Sequence, residues 1–89
     1  MAAPSVRSAD ALGWSLTRSG HADDGFAWAR RALRLGSRDP MFLYHAGISA
    51  RAAGEPGTAR RYLRLALAGN RRFSPLYAPR AQRAVRELR

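Results

Sequence analysis

The sequence contains no cysteine and no lysine. Without thiols the chain forms no disulfide, thiolate nucleophile or cysteine-ligated metal site, so thiol redox chemistry is excluded and nothing points to an oxidising compartment. Long apolar runs are missing as well. No stretch approaches the roughly eighteen residues needed to cross a bilayer, and Met1 to Ser8 lacks the hydrophobic centre of a signal peptide. These absences make a soluble, cytoplasmic protein without membrane insertion the expectation.

Acidic residues are scarce. Six of them face sixteen basic ones, every one arginine, for a formal charge of +10. Eighteen alanines beside a single isoleucine and a single asparagine point to a GC-rich genome as the reason for arginine in place of lysine. Codon bias leaves the shortage of acids unexplained. A guanidinium fork grips carboxylates and phosphates in a bidentate fashion, so a preference for an acidic partner or an anionic surface stays open.

What is present suits a small globular domain: 89 residues, 46% hydrophobic and 25% charged. A chain of this length buries only about two thirds of its unfolded surface, so its core must be thin. Laying Val6 to Asp39 on Pro40 to Phe73, an offset of 34 residues, gives seven identities: Gly13/Gly47, Ser15/Ser49, Gly20/Gly54, Arg30/Arg64, Ala32/Ala66, Leu33/Leu67 and Arg38/Arg72. Their placement matters more than their number. In each copy the first glycine falls mid-helix among small residues, the second ends that helix, and the Ala-Leu pair falls late in a second helix.

Local signals predict the same units. Ser8 is the expected N-cap of a helix with Ala9, Leu12, Gly13 and Leu16 on one face and Gly20 as its left-handed cap. Asp23 or Asp24 then caps a helix with Phe26, Ala29, Ala32 and Leu33 inward, closed by Gly36. Asp39-Pro40 restarts the chain with a capping acid and proline at the first helical position; Leu43, Ala46, Gly47 and Ala50 point inward and Gly54 stops the helix. A fourth helix follows Glu55-Pro56-Gly57-Thr58 with Ala59, Leu63, Ala66 and Leu67 inward, ending at Gly69-Asn70. The last is expected to start at Pro79, with Ala81, Ala84, Val85 and Leu88 on one stripe and Arg80, Arg83 and Glu87 facing away, Arg83 and Glu87 paired. The chain thus reads as one all-α domain of about five helices: a tail (1–7), repeat one (8–36), repeat two (39–69) and a capping helix (74–89).

This pattern resembles the tetratricopeptide repeat: a 34-residue period, a small residue mid-way along the first helix, glycine at the turn and alanine twice in the second helix. The packing positions that carry the resemblance are Leu12, Gly13, Gly20, Ala32, Gly47, Gly54, Ala59 and Ala66. Repeat two fits more closely than repeat one, where Gly25 stands in place of the usual alanine and Ala29 in place of a large residue. The arginine- and alanine-rich composition resembles actinobacterial versions of the family. The resemblance implies antiparallel hairpins stacked as a short right-handed α-solenoid, either a minimal unit or the capped end of a longer array.

It also implies a concave groove lined by the first helix of each repeat, holding a peptide or helix of another protein. Arg7, Asp10, Trp14, Thr17 and Arg18 would line it in repeat one, and Met41, Tyr44, His45, Ile48 and Arg51 in repeat two. Trp14, Tyr44 and Ile48 fall off the inward stripes and would anchor the partner, with Asp10 beside Arg18 and Arg51 for polar selectivity. The competing reading is that a neighbouring helix buries them. The lysine, asparagine and arginine clamp by which some members bind a C-terminal carboxylate is not matched, because Asp10, Trp14 and His45 stand at positions it needs.

The convex back would carry Arg30 and Arg34, then Arg60, Arg61 and Arg64, with Arg71 and Arg72 beyond. Such a stripe suits a phosphate chain, and nucleic acid or another anionic surface is the alternative partner. A solvated helix face has the same look, and Trp28 and Tyr62 are too isolated for stacking a single strand. Self-association through an unfilled repeat end is a further possibility. The inventory supports no enzyme: His21 and His45 lack metal-ligand spacing, Asp23-Asp24 suits a helix start, and no phosphate-binding glycine loop follows a strand. No catalytic residue, metal or cofactor is expected.

Overall fold

The computed structural model describes residues 5–35, 39–69 and 74–88. They form five helices, α1 (Val6–Arg18), α2 (Ala22–Arg34), α3 (Pro40–Ala52), α4 (Pro56–Gly69) and α5 (Tyr77–Glu87), with no strand among the described residues. The helix boundaries repeat with the period seen in the sequence. Helices α1 and α3 begin at 6 and 40 and end at 18 and 52, while α2 and α4 begin at 22 and 56.

The two turns inside the hairpins are built alike. Gly20 and Gly54 have φ of 91° and 81°, left-handed values that a side chain resists. Beyond each glycine the chain closes the helix with the same pair of bonds: His21 N–H to the Leu16 carbonyl (2.8 Å) and Gly20 N–H to Thr17 (3.3 Å), then Glu55 to Ala50 (2.9 Å) and Gly54 to Arg51 (3.2 Å). This is the Schellman arrangement, which satisfies carbonyls left over at a helix end.

The other ends match expectation in part. Asp39 caps α3 by accepting the Met41 N–H at 2.8 Å, with Pro40 first in the helix, as predicted. At α1 the cap is Ser5, which accepts the Ser8 N–H at 3.1 Å, so Ser8 lies inside the first turn. Helix α2 begins after His21, which makes no side-chain cap, and Asp23 and Asp24 sit within the first turn, where they complement the helix dipole. Helix α5 starts at Tyr77, ahead of Pro79, because the Ser74 hydroxyl accepts the Tyr77 N–H at 3.1 Å and proline is tolerated in a first turn. Gly36 and Asn70 lie outside the described residues.

Close approach of helices explains the mid-helix glycines. A Cβ on Gly13 would sit 2.8 Å from the Gly25 carbonyl oxygen, and one on Gly25 would sit 2.7 Å from the Gly13 oxygen, so α1 and α2 touch backbone to backbone. The unusual glycine of repeat one therefore has a cause. In repeat two the corresponding contact is Gly47 against the Leu63 side chain, where an added Cβ would come within 2.7 Å.

The core is mostly alanine: Ala9, Ala29, Ala32, Ala46, Ala50, Ala59, Ala66, Ala78, Ala81 and Ala84 are buried, with Phe26, Tyr44 and Leu63 as the large members. Leu12 departs from expectation. It is 42% exposed, because Ala9 and Gly13 make the inward contact of α1 and leave no room for a longer side chain on that line. Leu43 is only half-buried for a similar reason, α3 packing through Ala46, Gly47 and Ala50. Each helix packs on the next in sequence and α1 also packs on α3. The result extends 41 × 24 × 20 Å.

Substituting the glycines separates crowding from conformation. Gly25→Ala should lower stability by about 1–3 kcal/mol through overpacking. Gly57→Ala, where nothing lies within 4 Å and φ is helical, should raise it by roughly 0.4–1 kcal/mol. Urea denaturation of the two variants against the parent checks the opposite signs.

Candidate functional site

Helices α1, α3 and α5 are joined to one another by side chains that the sequence reading placed in a groove. Thr17, on α1, donates its hydroxyl to the Gly13 carbonyl at 2.9 Å and accepts the fully buried Ser49 hydroxyl of α3 at 2.6 Å. It is an interhelix tie rather than a groove residue. Asp10 is likewise turned inward, 7% exposed, with both carboxylate oxygens 3.0 Å from Nδ1 of His45. A carboxylate only accepts, so Nδ1–H donates. Burying a carboxylate is costly without such a partner; His45 fills that role, where the sequence had set Asp10 beside Arg18 and Arg51.

The His45 ring in turn stacks on Trp14, with centroids 4.3 Å apart and planes 22° off parallel. The Arg18 guanidinium lies 5.6 Å from the Trp14 centroid, within cation–π range. Trp14 also meets Tyr44 at 6.1 Å with the rings tilted by 54°, and Tyr44 meets Tyr77 of α5 at 5.0 Å. Tyr44 is only 3% exposed, a correction to its expected place on an open surface: α5 covers it. Burial lifts its phenol above the usual value of about 10, against the opposing pull of Arg80, which also hydrogen-bonds it, and of Arg18.

Beside this cluster lies a cleft of about 450 Å³ lined by Tyr44, Ile48 and Arg51 of α3 and by Arg80, Arg83, Ala84 and Glu87 of α5. Arg51 donates to Glu87 across it at 2.8 Å, so Glu87 pairs between helices and not with Arg83 as expected. Arg80 also stands 5.6 Å over the Tyr77 ring. Of the predicted groove residues, Tyr44, Ile48 and Arg51 share the cleft, while Asp10, Trp14, Arg18 and His45 form the adjoining cluster. Arg7 is exposed and Met41 half-buried, and neither lines the cleft. The contribution of α5 was missed. Its arginines were correctly turned away from the packing stripe, but the linker before α5 breaks the 34-residue register that would have aligned them with α3.

On the outer side, Arg60, Arg61 and Arg64 do come together around a smaller cleft of about 320 Å³ with Gly57, Leu65 and Ala68. Arg30 lies 4.7 Å over Phe26, and Arg34 sits in the last turn of α2, where a cation suits the dipole. Arg71 and Arg72 lie outside the described residues. Trp28 and Tyr62 each carry an arginine of their own helix, Arg31 and Arg61.

The Asp10–His45 pair has the form in which a carboxylate orients an imidazole as a base. Here the ring lies against Trp14, with 14% of the side chain exposed, and among the described residues no hydroxyl bonds its second nitrogen. Among the described residues no three His, Asp or Glu side chains gather to hold a metal, and no helix is long and apolar enough to cross a membrane. No family model matches the chain, and comparison with curated proteins and solved structures finds no significant match.

Two measurements follow from this geometry. The raised Tyr44 value means that its contribution to stability is present in full below about pH 10 and is lost as the pH rises from there through the folded value. Thermal unfolding between pH 8 and 11 should thus show an alkaline loss that shrinks in Tyr44→Phe and persists in Tyr62→Phe. Replacing His45 with alanine strands Asp10 and should cost about 2–3 kcal/mol, with a coupling energy to Asp10→Ala of about 1–3 kcal/mol in a double-mutant cycle.

Proposed function

We propose that the chain is a tetratricopeptide-type scaffold that holds a peptide or helix of another protein on the face formed by α1, α3 and α5, without catalysis of its own. The observation that carries this reading is the cleft between α3 and α5, with Ile48 and Ala84 on its floor and exposed arginines on its rim. Recognition sites commonly combine an apolar floor with a few convergent polar groups, and their volumes run from about 300 to 1,000 Å³.

Support for the repeat comes from the way positions one period apart do equivalent work. Asp10 of α1 reaches His45 of α3, and the residue 34 positions on, Tyr44 of α3, meets Tyr77 of α5. Thr17 bonds Ser49, and its counterpart Arg51 bonds Glu87. The same two places on successive helices make the joint to the next one, which is what stacking in one direction requires. On this reading α5 acts as the first helix of a third unit and caps the stack.

The arginines gathered around the outer cleft favour one second reading, a basic helical module for nucleic acid or another anionic surface. A photo-cross-linking residue placed at Arg83, and in a separate variant at Arg61, distinguishes the two in cells. The scaffold reading expects discrete protein adducts at position 83 and none at 61. Adducts to nucleic acid at 61, with none to protein at 83, would overturn it.

A further inference from the structure

Resting on the scaffold reading, we infer that the partner segment held on the α1/α3/α5 face is acidic, presenting side-chain carboxylates on either side of a large aliphatic residue. Arg51, Arg80 and Arg83 line the cleft with Tyr44, Ile48 and Ala84, and Arg18 lies beside it on Trp14, whose ring meets Tyr44. They come from three helices, so the concentration of charge is a property of the fold and not of one sequence run. Trp14, which carries Arg18, and Tyr44, whose hydroxyl Arg80 hydrogen-bonds, stand side by side with ring centroids 6.1 Å apart.

Among the described residues, Arg51 alone of these four is ion-paired, to Glu87. Arg18 rests on Trp14, Arg80 rests on Tyr77 and hydrogen-bonds the Tyr44 hydroxyl, and Arg83 is exposed at the rim. Guanidinium groups held against aromatic rings keep their in-plane N–H donors available, and a carboxylate is the group that matches that fork. The Arg51–Glu87 bridge spans solvent-exposed side chains, so it is weak enough to exchange for a partner's carboxylate.

The floor chooses between anionic partners. A single-stranded nucleic acid needs an aromatic face on which to stack bases. Tyr44 and Ala84 are buried, Trp14 is already stacked on His45, and Tyr77 carries Arg80, so the open part of the floor is the aliphatic surface of Ile48. A polypeptide has an apolar side chain to place there and a phosphate chain does not. A second copy of this chain is also a poor fit. Its own acids are engaged or sit at helix starts: Asp10 with His45, Glu87 with Arg51, Asp39 at a cap, Asp23 and Asp24 in the first turn of α2, and Glu55 just before α4.

A displayed library of random 12-residue peptides, selected against the full chain, tests the inference. Selected peptides are expected to be rich in Asp and Glu around one large aliphatic residue. Their affinity should fall about tenfold or more, a like-charge penalty, in the doubly reversed variant Arg18→Glu/Arg83→Glu, and should stay unchanged in Arg60→Glu/Arg61→Glu/Arg64→Glu. Circular dichroism of each variant excludes unfolding as the cause. Neutral or basic peptides that lose binding on Ile48→Arg would overturn the acidic partner while leaving the groove in place. Peptides indifferent to both Ile48→Arg and Arg18→Glu/Arg83→Glu, or a library that yields no binder, would overturn the groove as well. Displacement of the peptides from the parent protein by a thymidine 15-mer at lower concentration than by polyglutamate would assign the face to nucleic acid and sink the inference.

Discussion

Contact between helix backbones at Gly13 and Gly25, and of α3 with the Leu63 side chain at Gly47, sets the spacing on which the rest of the molecule depends. At that separation only small side chains fit between helices, and the interior is accordingly alanine. An alanine buries little apolar area, so each contributes less than the 1.5–3 kcal/mol or so available from a buried leucine or phenylalanine. Specificity then has to come from elsewhere. It comes from directional contacts: two matched helix-ending turns, the Thr17–Ser49 hydrogen bond, and Asp10 bound to His45 under the Trp14 ring.

The helices were legible in the sequence because their boundaries rest on local chemistry. Asp39-Pro40 starts a helix and Gly20 and Gly54 end theirs for reasons contained in a few neighbouring residues. The faces were less legible. Those of α2, α4 and α5 were read correctly through Phe26, Ala29, Ala32, Ala59, Leu63, Ala66, Ala81 and Ala84, all buried, whereas α1 and α3 mix small and large side chains around the helix. Leu12, placed inward by spacing, lies outside, and Tyr44, placed outside, is buried. Tyr44 could not have been assigned without α5, whose position on α3 depends on contacts between residues far apart in sequence. The pairing of Asp10 with His45 is of the same kind. Both residues were singled out individually, yet nothing short-range relates them.

The electrostatics follow from the same economy of acidic groups. Few acids are present, and those described stand where a helix start or the half-buried His45 imidazole uses them, or across from Arg51. Arginine therefore dominates both clefts, on the rim of the one between α3 and α5 and around the smaller one on α4. The two differ in what lies beneath the charge. The first has Tyr44 and Ile48 beneath it and draws on two helices, whereas the second is a run along a single helix.

The two hairpins share their boundaries and their turns, but the joints between successive odd-numbered helices differ in kind: a carboxylate–imidazole pair and a hydroxyl pair from α1 to α3, two tyrosines and an ion pair from α3 to α5. Units that look interchangeable in outline are thereby keyed at their edges. Transposed, each hairpin would keep its internal turn and its glycine contact but meet a neighbour whose groups do not answer its own. The order of the units is written in those few side chains, while the period itself says only that units exist.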